Sequence, residues 1–242
     1  PSGAELMRLV PECVPDHGVL KIGTLEIHIE LRVGVCSLSA GSTHHLQYAI
    51  DAAELAYNDL RGSRDRIRFF NAALRQEQNL QKKIEDHMHT ALEQEEFHVW
   101  YQPKYNLRTH EIIGAEALVR WQSEKFGMLM PGQFIQLFEK NGFIISLDYY
   151  MLERVCRAQQ ARYAAGLPLF PVSVNQSGLH MNEEGYLEKI QRTVERYALP
   201  PGMVELEITE TAFVDLNNVN QRGKMADIIQ NLHDMGFLIS MD

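Results

Sequence analysis

The sequence is short of cysteine, short of basic charge and free of long apolar runs. Its three cysteines, Cys13, Cys36 and Cys156, are far apart and odd in number. They exclude a disulfide framework and a thiolate metal site, and read as buried, reduced thiols of a cytoplasmic protein. No stretch approaches the roughly 20 apolar residues of a membrane span, and the opening residues lack a signal-peptide core. These residues are therefore expected to make no membrane contact. Lys and Arg number 23 against 32 Asp and Glu, a net charge of -9. That deficit argues against a nucleic-acid polymer as partner, because phosphate backbones need a basic surface, and leaves open a small anion held through cations. What is present, 45% hydrophobic and 23% charged residues over 242, is the composition of one large or two modest globular domains.

From Leu25 to Val35 apolar residues alternate with polar ones, predicting a long half-buried strand or a bent pair. Ser42-Thr43 offers an N-cap for a helix carrying Leu46, Ala49, Ile50, Ala53, Ala56, Tyr57 and Leu60 and ending at Gly62. A strand over 66–70 follows. Residues 71–95 read as a polar linker helix with Leu74, Leu80, Ile84, Met88 and Leu92 at helical spacing. His87 and His89 lie two apart, point in different directions on a helix, and are expected to be solvated. From Phe97 strands and helices alternate: strands 97–103, 111–120, 170–175, 203–209 and 237–242, with helices within 131–140, 147–165, 183–197 and 221–235. Repeated strand-helix units predict parallel pairing, with an opening hairpin through Asn106 to His110 as the exception.

The stretch with most to say runs from Tyr101-Gln102-Pro103-Lys104 into Gly114-Ala115-Glu116-Ala117-Leu118-Val119-Arg120-Trp121. In an extended chain, Glu116, Leu118 and Arg120 share one face and Ala117 and Val119 the other. Asn175, Glu207 and Asp242 also fall at or near the C-terminal ends of short apolar strands. A lone Glu or Asn there is usually a solvated or turn-forming group. Four on successive strands make a site. All four are hard oxygen donors, which suit Mg²⁺ or Mn²⁺ rather than zinc. Glu205 shares a face with Glu207 and is a further candidate. Trp100, Tyr101 and Trp121 are expected to pack in the core or at the rim.

These residues, with Pro131-Gly132-Gln133-Phe134-Ile135, Val174-Asn175-Gln176-Ser177, Glu207-Ile208-Thr209-Glu210 and Ser240-Met241-Asp242 in that order over residues 97–242, resemble the EAL domains, the cyclic di-GMP phosphodiesterase family. The resemblance implies an α/β fold: a modified TIM-type barrel of which the sequence holds about five of eight strands, over 96–242. It also implies two divalent cations, Mg²⁺ or Mn²⁺, held by Glu116, Asn175, Glu207 and Asp242, with Glu116 and Glu207 as the catalytic pair. Paired ions roughly 3.5–4 Å apart can hold the attacking and leaving oxygens of an in-line displacement and lower the pKa of a bound water. Gln102, Leu118 and Arg120 would bind cyclic di-GMP, Gln102 at a guanine edge and Arg120 at a phosphate. Glu210 resembles the Glu that supports a neighbouring loop.

Residues 1–70 loosely resemble the C-terminal part of an α+β GGDEF (diguanylate cyclase) domain, with Ile50-Asp51 and Arg61 departing from its usual Ala-Asp and Lys and its signature loop absent. The sequence is thus expected to be a piece of a bacterial tandem GGDEF-EAL protein. The family's second Asp, its Lys and its general-base Glu have no counterpart in these residues, so the piece is expected to be inactive alone. A homodimer through the EAL domain or the linker helix is a further expectation. Two alternatives stand beside the phosphodiesterase: a module that binds cyclic di-GMP or a protein without hydrolysis, and a Mg²⁺-dependent barrel stabilising an enolate, which would need a Lys or His base on a strand end.

Overall fold

The computed structural model describes residues 9–10, 12, 18–22, 25–38, 46–60, 63, 65–208 and 219–241. It divides into two compact units, Pro1–Lys83 and Ile84–Asp242. Cys13, Ser42-Thr43, Arg61, Gly62, Glu210 and Asp242 lie outside the described residues.

In the first unit, β1 (Gly18–Ile22) pairs antiparallel with β2 (Leu25–Ile29), and β3 (Val33–Val35) pairs parallel with β4 (Ile67–Phe69). The alternating stretch is therefore two strands belonging to two sheets. Its first half is not half-buried: all five β2 residues are exposed. The reason is that β2 belongs to a two-stranded sheet with β1 alone. Helix α1 (Leu46–Asp59) links β3 to β4 and buries Ala52 and Ala56. Gly34 is required there, since a Cβ would meet the Ala53 carbonyl oxygen at 2.0 Å. Cys36 is a free, half-buried thiol.

Helix α2 (Ala72–Glu93) leads into the second unit. There β5 (Phe97–Tyr105) pairs antiparallel with β6 (Ile112–Ser123), and β7 (Gly127–Leu129) adds to the far end of β6. Beyond β6 the pairing is parallel: β8 (Val172–Gln176), β9 (Val204–Ile208) and β10 (Leu238–Met241) follow in order, giving β10-β9-β8-β6-β5. The connections are α3 (Ile135–Asn141), α4 (Ile144–Ala164), α5 (Tyr186–Arg196) and α6 (Val219–Asp234). Parallel neighbours need such crossovers, and the helices they supply cover one face of the sheet.

Helix boundaries follow from local chemistry. Gly142, with φ 80°, ends α3, and the Asn141 side chain accepts from the Phe143 N–H at 3.0 Å, so α4 begins three residues before the expected 147. Helix α5 starts at Tyr186 rather than 183, because residues 178–182 form a 3-10 turn and Gly185 turns the chain with φ 76°.

The helix-facing side chains are Ala117 and Trp121 of β6, Val172 and Val174 of β8, and Val204, Leu206 and Ile208 of β9, all buried. Phe97, Trp121, Phe134 and Phe138 are completely buried together, with Phe97 and Trp121 centroids 4.8 Å apart. Pairs of this kind add about 0.5–1.5 kcal/mol beyond area burial. Trp121 Nε1 donates to Glu96 Oε2 at 2.8 Å, and His87 Nε2 lies 3.0 Å from Glu96 Oε1. His87 is thus buried, contrary to the sequence expectation, because its side of α2 is the one that meets Trp121 and Phe126. His89 is exposed and touches Phe143. Burial would raise the Glu96 pKa, but hydrogen bonds from Trp121, His87 and Ser123 hold it below its ordinary value. No described helix is long and apolar enough to cross a membrane.

Candidate active site

On the face of the sheet away from the helices the same strands are polar. Register pairs Gln102 with Glu116, Glu116 with Ser173 and Ser173 with Glu205, and one step further Asn175 with Glu207 and Glu207 with Ser240. Side chains of laterally paired residues share a face. Asn175 and Glu207, nominated from sequence, therefore sit side by side at the C-terminal ends of β8 and β9, and Glu116, midway along the longer β6, shares their face one step earlier. Each is half-buried.

Asn175 Nδ2 donates to Glu116 Oε1 at 3.1 Å. With its N–H directed at Glu116, the amide oxygen is the atom Asn175 offers a cation. Two carboxylates and an amide oxygen form a hard donor set that fits Mg²⁺ or Mn²⁺. Among the described residues no group of three or more His, Cys, Asp or Glu gathers to hold an ion. Asp242, the fourth nominated ligand, and the loop-supporting Glu210 both lie outside the described residues.

Arg120 is on the same face as Glu116, with Nη1 donating to the Val119 carbonyl at 2.8 Å and its guanidinium 5.6 Å from the centre of the Trp100 ring. Trp100 is 54% exposed, so it sits at the rim and braces a cation. Gln102 is exposed on β5 beside Glu116. Leu118 lines a cavity of about 180 Å³ with Pro131, Ile135, Asp148, Asn175 and Ser177. In the wall of that cavity, Asp148 Oδ2 accepts from the Ser177 N–H at 2.8 Å and lies 3.0 Å from His180 Nε2, while His180 Nδ1 lies 2.9 Å from Glu183. This network fixes the turn that follows Asn175. Burial pushes the Asp148 carboxyl up, against the lowering effect of His180 and the Ser177 N–H.

Lys104 is the participant that sequence reading missed. Its Nζ lies 2.6 Å from Ser173 Oγ, 3.2 Å from Glu205 Oε2 and 3.5 Å from Glu207 Oε2. Ser173 also hydrogen-bonds Glu205. Burial opposes the Lys104 charge, yet Glu205 and Glu207 outweigh it and raise its pKa. Burial likewise opposes charge on Glu205, and hydrogen bonds from Ser173 and Lys104, with the Lys104 charge, outweigh it and lower the pKa. Both partners are ionised. Two signals were available: Lys104 shares the strand parity of Gln102, and Ser173 that of Asn175.

Fold and site thus define a mixed-sheet α/β domain with an acid-and-amide cluster on the polar face of its parallel strands. Residues 85–242 match the EAL domain family, and the chain belongs to it, and so to the cyclic di-GMP phosphodiesterase family of signalling domains. The bifunctional diguanylate cyclase/cyclic di-GMP phosphodiesterase MucR of Pseudomonas aeruginosa is 29% identical over 92% of this chain and 32% of its own length. The cyclic di-GMP phosphodiesterase NbdA of the same organism is 30% identical over 74% of this chain and 22% of its own. The chain therefore spans a third or less of these relatives. The solved PaMucR phosphodiesterase in complex with c-di-GMP is 31% identical with a TM-score of 0.59, covering 66% of this chain and 63% of that one.

Proposed function

We propose that the full-length protein hydrolyses cyclic di-GMP to linear pGpG in a two-cation site, and that this chain supplies the first part of that site. The observation that carries the reading is the convergence of Glu116, Asn175 and Glu207 on one face, with Arg120 held on that face above Trp100. Glu116, Asn175 and Glu207, with Asp242, would hold the cations, Mg²⁺ or Mn²⁺. Bound there, they would supply a water of lowered pKa and neutralise charge on the phosphoryl oxygens. Arg120 would orient a phosphate, its guanidinium steadied between the Val119 carbonyl and the Trp100 ring. Gln102 would accept and donate at a guanine edge. Leu118 gives the site one apolar wall, against which a base can shed water. Glu210 would support an adjoining loop.

The same reading divides the chain into a GGDEF-like C-terminal part over 1–70, a linker helix over 71–95 and the first five strands of an EAL barrel over 96–242. The β3-α1-β4 unit supports the first assignment, and the antiparallel start followed by parallel strands supports the last. The parallel-strand chemistry favours phosphodiester hydrolysis over enolate stabilisation, because the lysine present, Lys104, is committed to carboxylates.

The test is turnover. Full-length protein incubated with cyclic di-GMP and Mn²⁺ should release pGpG, and Glu116→Ala should abolish release. Binding of cyclic di-GMP with no pGpG formed would replace the enzyme by a binding module.

A further inference from the structure

Two carboxylates of β9, Glu205 and Glu207, lie two apart on one face. A hard cation has no chemical reason to prefer either. The geometry points to Lys104 as the residue that makes the choice: we propose that Lys104 is a positioning residue that ion-pairs Glu205, keeps that carboxylate out of the ligand set, and so confines a divalent cation to Glu116, Asn175 and Glu207. The inference rests on the cation site proposed above.

An ammonium has three donors. Here they meet Ser173 Oγ at 2.6 Å, Glu205 Oε2 at 3.2 Å and Glu207 Oε2 at 3.5 Å. The first two are hydrogen bonds; the third is too long for a strong one and acts through charge alone. Glu205 is held from a second side by Ser173. Glu207, which Lys104 meets only at 3.5 Å, is the carboxylate that strand register sets beside Asn175. Lys104 reaches this position because its register partner is Gly114, which has no side chain beside it, and because strand pairing shifts between Lys104 and Tyr105. Such irregularities re-aim side chains at functional edges. The ammonium also repels a metal ion, which sets the near boundary of the cation site.

The consequence runs against the usual expectation for a damaged site. Without Lys104, a half-buried Glu205 has lost its counter-charge and recruits the cation instead. In the full-length protein, Lys104→Met should bind Mn²⁺ about tenfold more tightly, read by calorimetric titration, while kcat for pGpG formation falls at least about tenfold. A residue that merely supports the fold would weaken both. Glu205→Gln alone leaves the ammonium to Glu207 and should weaken Mn²⁺ binding by about tenfold. Lys104→Met combined with Glu205→Gln removes both charges together and should return affinity and kcat to within about threefold of the parent.

Unchanged or weaker Mn²⁺ binding in a folded Lys104→Met protein overturns the role, as does failure of Glu205→Gln to restore it. Where Lys104→Met does not fold, the opposite shift in Glu205→Gln and the near-parental double variant decide the matter. A parent protein that binds no Mn²⁺ removes the cation site itself and this role with it. A parent that binds and hydrolyses while the variants stay unchanged removes Lys104 alone.

Discussion

The two faces of the second unit's sheet are built from the same few strands and have opposite natures. Toward the helices stand Ala117, Val172, Val174, Val204, Leu206 and Ile208, all buried. One residue out of step with them stand Glu116, Ser173, Asn175, Glu205 and Glu207, joined by hydrogen bonds and ion pairs with Lys104. The period of two separates folding from chemistry so cleanly that neighbouring residues should fail in different ways. The helix-facing residues hold the strands through burial, and the polar ones exploit the positions that burial fixes.

The sharpest test of this contrast is Glu116→Ala in the full-length protein. Turnover of cyclic di-GMP should fall at least about a hundredfold, the upper end of what even outer-shell partners of metal ligands cost, while thermal unfolding changes little. A large drop in Tm would mean the polar face also holds the fold. Its counterpart is Leu206→Ala, between Glu205 and Glu207 in sequence and completely buried. Denaturant titration should show about 2–5 kcal/mol lost, with kcat per folded molecule retained.

Trp100→Ala probes the rim. It leaves Arg120 without its brace, so KM for cyclic di-GMP should rise several-fold at little change in kcat. A smaller effect separates the base of the sheet from its active end. The Glu96 pKa is held below its ordinary value in the folded state, against burial, by Trp121, His87 and Ser123. Its stabilising contribution is complete above the unfolded-state pKa and is lost as pH falls through the lower folded-state value. Glu96→Gln should lower Tm at neutral pH and flatten the acid limb of a Tm-against-pH curve, the two proteins converging in acid. An unchanged acid limb would mean the carboxylate is not ionised there.

The 242-residue chain alone is expected to release no pGpG under conditions in which the full-length protein does.

The opening hairpin and the parallel pairing beyond it could be read from the sequence because short apolar runs alternate with helical patterns and are stopped by residues such as Gly142 and Gly166. Asn175 and Glu207 were legible as a pair for the same reason, since each lies one residue from the end of a parallel strand; Glu116 lies within β6 and joins them through Asn175 Nδ2. Where reading failed, the missing information was lateral. The exposed β2 had the alternation of a half-buried strand, but alternation cannot say whether a second layer arrives. His87 looked solvated on a polar helix, yet Glu96 and Trp121 wait for it across the fold.

Local pattern thus determined the elements, their parity and the residues able to bind a cation, since these depend on neighbours in the chain. Only the tertiary structure decided which polar groups are spent on one another. Lys104 and Glu205 are 101 positions apart, and nothing local marks one as the counter-charge of the other. Their pairing depends on strand register, on the shift at Lys104/Tyr105 and on the absence of a side chain at Gly114, which exist only once the sheet has formed.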